Sequence, residues 1–131
     1  MKKLKGVLIA MLIPLSLLGM ASCSEDDANS YEQITPEQAK TIMDTKTDYV
    51  IIDARTTEEF SEGHIEGAIL IPEYEIKLRA EKELPDKKQL ILIYCRSGRR
   101  SKIASEELVK LGYTNVKEFG GIIDWPYEIV K

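Results

Sequence analysis

The chain has 131 residues and a mass of 14.8 kDa, the size of one domain. All 22 acidic residues but only 15 of the 18 basic ones lie beyond Ser22, so the remainder carries a net charge of −7, which excludes a basic nucleic-acid surface. With 44% hydrophobic and 31% charged residues the chain is neither disordered nor fibrous, and two cysteines with a single histidine exclude a disulfide scaffold and a structural zinc cluster. No metal or other cofactor and no nucleic-acid partner is expected.

The N-terminus reads as an address. Lys2, Lys3 and Lys5 precede the apolar stretch Val7 to Leu18, which runs into Gly19-Met20-Ala21-Ser22 ahead of Cys23, the order of a secretory signal. Twelve residues rise about 18 Å as a helix, short of a hydrocarbon core of roughly 30 Å, which disfavours a permanent span. Met20-Ala21-Ser22-Cys23 resembles a bacterial lipobox. That resemblance implies removal of residues 1–22, lipid on the Cys23 thiol, and a membrane-anchored protein of the cell envelope. The alternative is a soluble exported protein cut near Ala21 or Ser22. Residues 23–30, polar and acidic, read as a flexible tether, and residues 31–131 as the folded domain, expected to be a monomer.

In chain order, Thr35-Pro36-Glu37-Gln38 has the spacing of a capping box and opens a helix whose apolar face is Ala39, Ile42 and Met43. Tyr49 to Ile52 is a continuous apolar run, the mark of a strand buried on both faces. A second capping box, Thr56 with Glu59, starts a short helix that Gly63 ends. Ala68 to Ile71 reads as a brief strand, Tyr74 to Leu84 as a charged helix and Leu90 to Tyr94 as a second fully apolar strand. Ser101 to Leu111 is a helix closed by Gly112, Val116 to Phe119 a last strand, and Ile122 to Val130 a terminal helix broken by Pro126. This alternation predicts a three-layer α/β domain with a mainly parallel sheet.

The chemistry concentrates in Cys95-Arg96-Ser97-Gly98-Arg99-Arg100-Ser101. A cysteine at the carboxyl end of a buried strand, followed by a glycine-bearing loop and a helix, stands where open α/β sheets bind ligands. Loop and first-turn amides converging there favour an anion, so the thiol can act as thiolate without a partner base. Arg96, Arg99, Arg100 and Lys102 crowd a helix start, where the macrodipole favours acids. Cations in that place point to an anionic ligand.

These residues resemble the active-site loop of the rhodanese-like domain family. Asp53-Ala54-Arg55, Glu59-Phe60, Gly63-His64-Ile65, Gly67-Ala68, Pro72 and Gly120-Gly121 with Trp125 match its other signatures in order, over roughly Tyr31 to Lys131. The resemblance implies a rhodanese fold with a five-stranded parallel sheet. It also implies sulfurtransferase chemistry, in which Cys95 takes sulfane sulfur from a small anionic donor as a persulfide and passes it to a thiol or cyanide. Arg96, Ser97, Gly98, Arg99, Arg100 and Ser101 would hold donor and persulfide. By the same resemblance His64 belongs to a structural turn. Asp53 and Arg55 follow a buried strand and are expected to support the structure, as an internal ion pair or by holding the edge of the site. A phosphatase or arsenate reductase is disfavoured, because such enzymes place five residues between cysteine and arginine and here Arg100 follows after four. A non-enzymatic domain that binds polysulfide or docks a partner is the remaining alternative.

Overall fold

The computed structural model describes residues 30–131. The expected signal 1–22, Cys23 and nearly all of the tether lie outside the described residues. Five strands form one sheet in the order β1-β5-β4-β2-β3: β1 (Glu32–Gln33), β2 (Tyr49–Asp53), β3 (Ala68–Leu70), β4 (Leu90–Cys95) and β5 (Val116–Gly121). Every pairing is parallel. The helices are α1 (Pro36–Thr45), α2 (Thr57–Glu62), α3 (Ile76–Glu83) and α4 (Arg99–Lys110).

Both capping boxes form. Thr35 accepts from the Gln38 amide while the Gln38 side chain takes the Thr35 amide, and Thr56 and Glu59 repeat the arrangement. Each satisfies two of the amides a helix start leaves unpaired. The apolar strands are continuous because both faces are covered. From β4, Ile91, Ile93 and Cys95 pack towards α3 and α4, and Leu92 and Tyr94 towards α1 with Ile51, Phe119 and Trp125. Neighbours in sequence therefore enter different cores, as a side-chain period of two requires.

Three local expectations change. The charged helix divides into a 3₁₀ turn, Glu73–Glu75, and α3. Helix α4 starts at Arg99, two residues earlier than Ser101, directly after Gly98. The terminal helix over Ile122 to Val130 does not form: a single 3₁₀ turn, Ile122–Asp124, is followed by chain without helix, and Val130 exchanges both backbone hydrogen bonds with His64 at 2.8 Å. Pro126 has no amide to donate and biases the residue before it to extended backbone, and Trp125 is extended. Strand β1 was not anticipated, being two exposed residues with no apolar pattern.

Candidate active site

Cys95 ends the central strand β4 opposite Gly121 of β5, where the register between the two strands shifts. Its side chain is buried, 1% exposed, and the Gly98 amide donates to its Sγ at 2.9 Å. The loop closes on three residues because Gly98 sits at φ +108°, backbone that a side chain would strain, and α4 begins immediately after it. From below, the Ile123 amide donates to the Arg96 carbonyl at 3.2 Å. Gly121 lies so close that a Cβ there would stand 2.0 Å from the Arg96 oxygen. The result is a buried sulfur cradled by backbone, with Arg96, Ser97, Arg99 and Lys102 exposed around it. Among the described residues none of these three cations has an acidic partner.

Arg100 has one. Its guanidinium grips the Glu59 carboxylate with two bonds, 2.7 and 2.9 Å, joining α4 to α2. The Thr56 amide and hydroxyl also donate to that carboxylate, at 3.2 and 3.1 Å. Hydrogen bonds from Arg100, against the cost of burial and helped by Thr56, hold the Glu59 carboxyl down at about 2. The carboxylate's stabilisation is thus complete above its ordinary value of 4.5 and is lost as pH falls towards about 2. Glu59→Gln should melt below wild type at pH 6, and the gap should close between pH 4.5 and 2. A gap independent of pH in thermal melts would mean that the pair contributes nothing as an ion pair.

The rhodanese-like domain family profile matches residues 35–126. The chain belongs to this family. It is 42% identical over 80 residues to the thiosulfate sulfurtransferase PspE of Escherichia coli (strain K12), covering 61% of this chain and 77% of that protein. It is also 40% identical over 85 residues to a sulfurtransferase of Allochromatium vinosum, covering 64% of this chain and 77% of the relative. A solved structure described as a rhodanese with anions from E. coli matches with a TM-score of 0.60 and 40% identity, over 63% of this chain and 98% of that one.

Beside the loop of this rhodanese domain lies a buried polar group. Asp53, fully buried, is held by the Arg55 guanidinium at 2.7 to 3.1 Å and accepts from the Tyr94 hydroxyl at 2.6 Å. Arg55 also donates to the Gly63 carbonyl, and Tyr94 accepts from the Ile65 amide. Burial first, then the charge and hydrogen bond of Asp53, push the Tyr94 phenol well above its usual range, so it remains a donor. Asp53 and Arg55 therefore fasten the residue before Cys95 to the turn at His64. The His64 ring stacks on Phe60, with centroids 3.7 Å apart, and its Nδ1 lies 2.9 Å from the Phe60 carbonyl oxygen. None of these contacts reaches residues 95–101. Phe119 and Trp125 belong to the core under α1.

The loop residues read from the sequence divide into two groups. Arg96, Ser97 and Arg99 line the rim, and Gly98 holds the sulfur. Ser101 is fully buried and its hydroxyl lies 2.7 Å from Oε1 of Glu118, while Arg100 turns to Glu59. Glu118 was missed by sequence reasoning. The available signal was weak: Glu118 follows Lys117 in β5, and only the alternation of the strand puts Glu118 on the same face as Val116 while Lys117 faces the other way.

Proposed function

We propose that this rhodanese-like enzyme moves a sulfane sulfur from a small anionic donor, with thiosulfate as the reference case, through a Cys95 persulfide to a thiol or cyanide. The observation that carries the reading is the placement of Cys95: one buried thiol, its sulfur taking a backbone amide, ringed by three cations that have no acidic partner among the described residues. The relatives named as sulfurtransferases, and the related rhodanese solved with anions, support it. In the first step the Cys95 thiolate attacks the outer sulfur of thiosulfate, the sulfur–sulfur bond of the donor breaks, and sulfite leaves with the electron pair. The cysteine keeps a terminal sulfur carrying one negative charge, for which the Gly98 amide and the cationic rim are suited. In the second step the acceptor thiolate or cyanide attacks that sulfur, and the Cys95 thiolate is returned. Intact mass of the purified domain tests this. Thiosulfate should add one sulfur atom, and cyanide or a thiol should remove it; no mass gain with thiosulfate, polysulfide or a persulfide donor would refute the reading.

The cations have a measurable share. Neutralising Arg96 or Arg99 to Gln should lower kcat/KM for thiosulfate roughly tenfold or more, since a charge-assisted contact contributes about 1.5 to 3 kcal/mol. Added salt should slow the wild type. Wild-type kcat/KM in both variants would assign donor binding to backbone amides alone.

We further propose that Cys23 carries lipid and anchors the domain in the bacterial cell envelope, on the strength of the basic, apolar and small-residue order ahead of it. Cys23→Ala is expected in the soluble fraction of a native host, and its retention in washed membranes would exclude acylation as the anchor.

A further inference from the structure

Glu118 is 2% exposed in β5, in which Val116 and Phe119 are core residues. A carboxylate stripped of water is costly unless its oxygens are bonded, and no Lys, Arg or His among the described residues pairs with it. Its partners are neutral donors. Oε1 takes the Ser101 hydroxyl at 2.7 Å and the Gly120 amide at 2.8 Å, and Oε2 takes the Gln33 side-chain amide at 3.4 Å. The two donors on Oε1 come from opposite sides of the cysteine loop. Ser101 stands in the first turn of α4 with its hydroxyl oxygen also 3.1 Å from the Gly98 carbonyl and 3.4 Å from the Gly120 carbonyl, and Oε1 of Glu118 is the nearest of the three acceptors. Gly120 precedes Gly121, the residue packed against the Arg96–Ser97 backbone. Gly98 lies between them, since a Cβ built on it would stand 3.6 Å from the Gly120 Cα and 3.9 Å from Oε1 of Glu118. Its amide is the one that meets the Cys95 sulfur.

We infer that Glu118 is a positioning residue of the Cys95 site: by tying Ser101 and Gly120 to one carboxylate oxygen it fixes where the Gly98 amide meets the sulfur. It touches neither donor nor acceptor and acts through the loop. The inference rests on Cys95 as the reacting atom. Alkylation by iodoacetamide therefore serves as the primary readout, because it reports the thiolate with no sulfur donor present.

The experiment compares purified Glu118→Ala, Glu118→Gln and Ser101→Ala with wild type at pH 7, by alkylation rate, by kcat/KM for thiosulfate and by the Gly98 amide peak in a ¹H–¹⁵N spectrum. Glu118→Ala should lose about tenfold in both rates and displace the Gly98 peak, a loss of the order expected when one hydrogen bond no longer aligns the site. Glu118→Gln, of equal size and still able to accept both donors through its oxygen, should stay within about threefold of wild type. Ser101→Ala removes one donor and should fall between them; if Glu118→Ala does not fold, this variant decides by the same readouts. A folded Glu118→Ala or Ser101→Ala with wild-type alkylation and an unmoved Gly98 peak would overturn the inference. Slowed alkylation in variants of a wild type that takes up no sulfur would uphold the positioning role and sink the sulfur-transfer reading instead.

Discussion

Cys95→Ser should abolish sulfur transfer, with a loss of at least about a thousandfold in kcat, while the domain stays folded. The exchange nearly conserves volume at a site 1% exposed, and a hydroxyl oxygen can still receive the Gly98 amide that now donates to Sγ at 2.9 Å. A serine hydroxyl is not ionised at neutral pH, however, so it neither attacks sulfane sulfur nor stores it as a persulfide anion. Cys95 is the only cysteine among the described residues, so no second thiol of the domain can substitute. Sulfite release from thiosulfate with cyanide as acceptor measures the loss, and a thermal melt shows that the fold survives. Turnover near wild type would take Cys95 out of the nucleophile role.

Gly121→Ala should cost about a hundredfold in kcat/KM together with roughly 1 to 3 kcal/mol of stability. A Cβ at this position would meet Arg96 O at 2.0 Å, Arg96 C at 2.4 Å and Ser97 Cα at 2.5 Å. All three are backbone atoms that cannot rotate aside, so the loop itself must move by about 1 Å, a displacement of the size that misaligns reacting groups. The Ile123 amide bond to the Arg96 carbonyl and the Gly98 amide on the sulfur would be disturbed together. Kinetics and a melt of the same preparation separate the two losses. A variant with wild-type kcat/KM would show that the loop tolerates displacement, and the backbone cradle would not be what prepares Cys95.

The capping boxes at Thr35 and Thr56 were legible because each is a pair of hydrogen bonds between residues three apart, formed by the helix alone. The strands were legible as Tyr49 to Ile52 and Leu90 to Tyr94, because burial on two faces leaves an unbroken apolar run; each extends one residue further, to Asp53 and to Cys95. Cysteine, glycine and a cluster of cations at one strand end announced an anion-binding nucleophile, and the order of the motifs pointed to the family.

The division of labour inside the loop was not legible. Arg99 and Arg100 are the same residue at adjacent positions, and only the packing of α2 against α4 places Glu59, 41 positions earlier, against the second of them. Ser101 reads as a ligand-facing hydroxyl until β5 brings Glu118 beneath it, 17 positions later. The terminal segment was read from its local pattern as a broken helix, whereas its backbone is claimed by His64, which no local rule can supply. Residues 35–112 carried the local signals, hydrogen bonds and periodicities that operate within a few residues. Which charges remain free for an anion, and which carboxylate holds the cysteine loop, were decided only when the parallel sheet brought distant residues together, because those interaction energies belong to pairs that do not exist in the unfolded chain.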